Sequence, residues 1–123
     1  MKRSKTPEGV LRGQCLEWLS MNGVFAWKNN TQGVFDPTKG VFRRFEGLKG
    51  VSDILGILPP HVGSWQCNEQ LFVGRILAVE TKIRPKKPTA EQEYFLERVN
   101  ENGGLGLLIY DLNELIKAVE ETK

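Results

Sequence analysis

The sequence predicts an α/β domain whose elements run α-β-β-β-α-β-α. Apolar stripes at helical spacing alternate with short apolar runs of strand length. Gly, Pro and Asn punctuate both kinds of segment. The 123 residues, 40% hydrophobic and 26% charged, suit a single globular domain over residues 1–123 with a sizeable core. Strands interleaved with helices around one sheet imply two or three layers.

Each element has its own signal. Thr6-Pro7 offers an N-cap followed by proline at the first helical position. Leu11, Cys15, Trp18 and Leu19 then form an apolar helical stripe that ends before Asn22-Gly23. Val24–Lys28 is strand-like, and a Gly- and Asn-rich stretch with an Asp36-Pro37 turn leads to Val41–Phe45, a candidate strand additional to the three of that order. Ser52–Leu58 is apolar and is expected to stop hard at Pro59-Pro60. Phe72–Lys82 predicts a long strand closed by Pro85. Thr89-x-x-Gln92 has the capping-box spacing, with Phe95, Leu96 and Val99 behind it and Gly103-Gly104 as the stop. Leu105–Tyr110 predicts the last strand. Asp111-x-x-Glu114 caps a C-terminal helix carrying Leu112, Leu115, Ile116 and Val119.

Several classes are excluded at this level. No apolar run approaches the ~20 residues of a membrane span, so no membrane partner is expected. The basic stretch Met1–Lys5 is not followed by an apolar signal core, so Cys15 and Cys67 read as free thiols in the cytoplasm. No G-x-x-x-x-G-K-[ST] occurs, and no nucleotide cofactor is expected. The net charge of +2 hides an asymmetry. Residues 1–50 carry nine basic and four acidic side chains, whereas residues 91–123 carry three and eight. Such a split suits either a polyanion-binding face with an acidic back, or a solvated surface with chance clustering.

The chemistry points to Asp53, Glu80 and Lys82. Glu80 and Lys82, two apart on a strand, leave the same face, and Asp53 opens the preceding, antiparallel strand. Two carboxylates hold a hard divalent cation through oxygen, and an ammonium beside them orients an attacking water. The E-x-K spacing alone is weak, since Glu121-x-Lys123 repeats it in the tail. Context strengthens it, because Ile76–Val79 leads an apolar strand directly into Glu80. The backbone carbonyl of Thr81 is a further candidate metal ligand. At about 100° per residue, Glu8 falls at the edge of the buried stripe and Glu17 on the solvent side. Glu8 thus suits either the site or the helix dipole. Gln92 suits either the site or the capping box.

Taken together, Gly50–Gly56, Gly74–Lys82 and Pro88–Gln92 with Phe95-Leu96 resemble a stand-alone VRR-NUC domain. That family belongs to the PD-(D/E)xK, restriction-endonuclease-like nucleases. The segment around Glu8, Trp18-Leu19, Gly23 and Trp27–Thr31 resembles it too, so the likeness spans residues 6 to about 112. Ser52 stands where that superfamily carries proline, and Thr81 where an aliphatic residue is common. The resemblance implies a restriction-endonuclease-like αβββαβ core with a central mixed sheet, followed here by an extra C-terminal helix. It implies Asp53, Glu80 and Lys82 as the catalytic core, Gln92 as the supporting glutamine and Glu8 as the helix-borne acid. It further implies Mg²⁺- or Mn²⁺-dependent DNA cleavage by a phage or bacterial homodimer acting on four-way junctions. Lys28, Asn30, Arg43, Arg44, Arg84, Lys86 and Lys87 are then the expected DNA contacts. Trp27, Phe35, Phe42, Phe45 and Trp65 are the aromatics available for pairing two chains. A flap- or end-directed nuclease and an inactive DNA-binding module of the same fold are the alternatives.

Overall fold

The computed structural model describes residues 6–29, 34–43, 47–64 and 70–123, with only the backbone at 34–36, 42–43, 60–64 and 70–73. Helix α1 spans Pro7–Met21; Thr6 caps it by accepting from the Gly9 N–H at 3.0 Å, and Pro7 fills the first turn. The helix ends at Asn22, and Gly23 follows at φ 76. Strands β1 (Phe25–Lys28), β2 (Val34–Asp36) and β3 (Val41–Arg43) come next. Strands β4 (Ile54–Ser64) and β5 (Gln70–Thr81) form the long central pair. Helix α2 (Ala90–Glu101), strand β6 (Leu105–Ile109) and helix α3 (Leu112–Glu120) complete the chain, α3 being capped by Asp111 as its spacing predicts.

The central sheet has the order β1-β4-β5-β6. β1 pairs antiparallel with β4, and β4 with β5. β5 and β6 are parallel, which a tight turn cannot connect; α2 makes the crossover. The sheet is therefore mixed. Its strands, with α1, α2 and α3, follow the order αβββαβα.

Two expectations need correction. β4 does not stop at Pro59-Pro60 but runs on to Ser64. Leu58 pairs with Arg75 and His61 with Val73, so the two prolines oppose the single residue Gly74 in a β-bulge. A bulge leaves residues outside the ladder, where proline's missing N–H is no loss. The strand expected at Val41–Phe45 lies outside the central sheet. Val41–Arg43 pairs with Val34–Asp36, a strand the sequence pattern does not announce, as a separate hairpin. Phe45 lies outside the described residues.

Strand alternation sends successive side chains to opposite faces. Ile54, Leu58, Leu77 and Val79 pack with Leu11, Cys15 and Leu19 of α1 and with Leu115 and Val119 of α3. Ala78 faces the other way and packs with Leu96 and Val99 of α2. The result is three layers. Glu80 shares the parity of Ala78, which aims it toward α2. Gly50, at φ 83, lies so close to α2 that a Cβ there would collide with the Glu91 backbone. That close approach sets the segment leading into Asp53 against the first turn of α2.

Candidate active site

The sheet register brings the chemistry to one end of the central strands. Lys28 pairs with Ile54, Ile54 with Val79, and Thr81 with Ile109. Asp53 precedes Ile54, so it meets Glu80 and Thr81 at the ends of their strands. Asp53 is fixed from three sides. Its Oδ2 accepts from the Thr81 hydroxyl at 2.8 Å and from the Thr81 N–H at 3.2 Å. Its carbonyl accepts from the Asn29 N–H at 2.7 Å, tying the end of β1 to the site.

Glu80 is 1% exposed. Its Oε1 accepts from Gln92 Nε2 at 2.9 Å and lies 3.9 Å from Lys82 Nζ. Its Oε2 is buried with no hydrogen-bond partner. Burial pushes the Glu80 carboxyl up to about 8, the Asp53 charge adds to the rise, and the Lys82 ammonium offsets part of it. An acceptor buried without a partner costs about 1–3 kcal/mol, and native interiors rarely contain one. The oxygen donors of Asp53 and Glu80, one of them unmatched, fit a hard divalent cation. Among the described residues no three His, Cys, Asp or Glu side chains cluster, so the remaining ligands of such an ion would be backbone carbonyl, water or substrate oxygen.

Gln92 completes the capping box and also reaches Glu80. Its Oε1 accepts from the Thr89 N–H at 2.9 Å and its backbone N–H donates to Thr89 Oγ1 at 3.2 Å, completing the capping box. The same amide's nitrogen serves Glu80. Glu8 is partly buried at the start of α1 and lines a groove with Ile83, Arg84, Pro85 and Lys86. It lies at the site's end of the sheet but does not join Asp53 and Glu80 in a cluster of three. Glu17 is exposed, as its helical angle predicts.

Lys28 is exposed at the end of β1, and Arg84, Lys86 and Lys87 are exposed on the loop after β5. That loop is held to β6: the Arg84 guanidinium lies 4.3 Å from the centre of the Tyr110 ring, and the Tyr110 hydroxyl donates to the Lys86 carbonyl at 3.4 Å. Arg43 ends β3, described by backbone alone. Asn30, Arg44, Trp65 and Cys67 lie outside the described residues. Cys15 is a free thiol, and burial in the α1 core pushes it up to about 11.

Sequence reasoning missed the hydroxyl of Thr81. Alternation assigns that side chain to the far face, but Asp53 sits just off the start of β4, where its carboxylate reaches the Thr81 hydroxyl. Ser52, beside Asp53, is fully buried and its Oγ has no partner. No described helix is long and apolar enough to cross a membrane. Comparison with protein-family models, curated proteins and solved structures found no match to this chain.

Proposed function

We propose that this chain is a Mg²⁺- or Mn²⁺-dependent endonuclease that hydrolyses DNA phosphodiester bonds. One observation carries the reading: a buried, partnerless carboxylate oxygen on Glu80, beside Asp53 and Lys82, at the ends of the two central strands and flanked by exposed cations. Asp53 and Glu80 hold the divalent ion, with the Thr81 carbonyl as a further candidate ligand. The ion, when bound, polarises the phosphate and lowers the pKa of the attacking water.

The chain's own groups do the rest. Lys82, 13% exposed, positions that water and offsets negative charge on the phosphate as the new P–O bond forms and the bond to the leaving oxygen breaks. Gln92 keeps Glu80 aimed at the site, and Thr81 does the same for Asp53. Lys28, Arg84, Lys86 and Lys87 attract the backbone on either side. The restriction-endonuclease-like core, the VRR-NUC resemblance, a cytoplasmic setting and a homodimer acting on four-way junctions belong to the same proposal.

The test is a cleavage panel of duplex, flap, splayed-arm and four-way-junction DNA with Mg²⁺, Mn²⁺ or EDTA. Cleavage is expected with either metal, not with EDTA, and not by Glu80→Gln. Cleavage that persists in EDTA or survives that substitution overturns the proposal. Selective binding without any metal-dependent cleavage would assign an inactive DNA-binding module instead.

A further inference from the structure

We propose that the groove between α1 and β1 is a second phosphate-binding subsite, in which Arg12 and Lys28 grip a backbone phosphodiester beside the cleaved one. This rests on the DNA-cleaving reading and adds Arg12 to its substrate contacts. The groove is lined by Thr6, Gly9, Arg12, Gly13, Leu16 and Lys28. Its two cations come from different elements, and neither forms an ion pair with a described residue. Arg12 Nε is buried without a hydrogen-bond partner. Buried donors are nearly always matched, and a guanidinium in a groove is suited to a bidentate phosphate. Lys28 is exposed at the groove's other wall and supplies a point charge.

Shape points the same way. Gly9 and Gly13, four apart, share one face of α1. Nothing lies within 4 Å of where a Cβ on Gly13 would sit, so the groove is open there. Glycine weakens a helix interior, and the space beside Gly13 would take a side chain without collision.

Position links the groove to the site. Lys28 pairs with Ile54, and the next residue, Asn29, donates its N–H to the Asp53 carbonyl. Strand rise and spacing put the Lys28 and Asp53 backbones roughly 6 Å apart. That adjacency places the groove beside the strand ends that carry Asp53, within reach of a phosphate neighbouring the one at the site.

The experiment measures anisotropy of a short labelled duplex with the full chain in EDTA, across a salt series, with wild-type cleavage in Mg²⁺ alongside. Arg12→Ala and Lys28→Ala should each weaken binding about tenfold. Each should also reduce the slope of log K against log salt by about 0.9 for every phosphate that the variant no longer neutralises. Gly13→Glu, which places a carboxylate in the groove, should weaken binding further. Gly13→Ala should match wild type in binding, and neither Gly13 variant should lower the thermal midpoint, since both improve helix propensity. A wild type that binds and cleaves while Gly13→Glu equals it in affinity and slope overturns the subsite alone. A wild type that neither binds nor cleaves overturns the parent reading and the subsite together. A titration with inorganic phosphate separates the remaining source. Phosphate binding abolished in Gly13→Glu, with duplex affinity untouched, would mark a free-anion site and overturn the backbone assignment.

Discussion

One amide joins a helix terminus to a buried acid: Gln92 donates to Glu80 Oε1 at 2.9 Å while its oxygen accepts from the Thr89 N–H at 2.9 Å. Each bond fixes the amide's orientation for the other, because the nitrogen can only donate and the oxygen can only accept. Gln92→Glu should keep the cap, since glutamate also serves the capping box. It should place a second carboxylate against Glu80 and move the pH profile of cleavage to higher pH. Kinetics across pH check this, with circular dichroism confirming the fold. An unmoved profile would leave Gln92 as a capping residue only.

The raised Glu80 carboxyl makes stability depend on pH. With a folded value of about 8 against an ordinary 4.5, the folded chain binds the extra proton between those limits. Metal-free stability should therefore fall as pH rises from about 4.5 to about 8, this group contributing no slope outside that window. The proposed divalent ion needs the carboxylate, so its apparent affinity should rise about tenfold per pH unit up to about 8. Glu80→Gln should flatten the metal-free profile and raise the thermal midpoint at pH 8 while losing cleavage. Melting with and without Mg²⁺ reads both effects.

Asp53→Ala and Lys82→Ala should fail differently. Loss of Asp53 removes a proposed metal ligand and should strongly lower both Mg²⁺ affinity and cleavage. Loss of Lys82 should spare metal binding and lower the rate, general acid–base and charge effects of this kind being worth about 10²–10⁴-fold. Metal titration followed by single-turnover cleavage separates the two. Near-normal cleavage by Asp53→Ala would sink the site assignment.

Glu8 and Glu17 lie on one helix with different surroundings. Glu8→Gln should lower activity or metal affinity several-fold, whereas the exposed Glu17→Gln should leave both within error. Equal small effects would confine Glu8 to the helix dipole, a role worth about 0.3–1 kcal/mol.

A dimer would use the uncovered part of the α2 face of the sheet. Phe25 pairs with Ile57 and Ile57 with Ile76, forming one cross-strand row at 71%, 47% and 49% exposure. Trp27 stands on the same side, its ring 5.4 Å from that of Phe25. Such a contiguous apolar strip suits an interface, and paired nicks across a junction need two sites. Light scattering at micromolar concentration should give about 28 kDa, twice 13.9 kDa, and Phe25→Glu should return a monomer. A wild-type monomer that cuts flaps and junctions alike would favour a flap- or end-directed nuclease.

Local signals in the sequence determined the elements. Thr6-Pro7, Thr89-x-x-Gln92 and Asp111-x-x-Glu114 each mark a helix start through bonds made within four residues, and all three caps form. Alternation along 76–80 placed Ile76, Ala78 and Glu80 on one face, because the two-residue period belongs to the strand itself. The pairing partners were beyond such signals. Pro59-Pro60 read as an end, yet a bulge opposite Gly74 carries β4 past them, and only the neighbouring strand provides that bulge. Val34–Asp36 is too short to register before Val41–Arg43 pairs with it. At the site, spacing could offer Gln92 either a cap or a catalytic neighbour. Tertiary packing gave it the cap and a bond to Glu80, because Gly50 lets the segment before Asp53 lie against α2 and Ala78 draws Glu80 to the same side. Whether Glu80 is solvated or buried is likewise a property of three packed layers, and that burial, not the residue type, lifts its carboxyl to about 8.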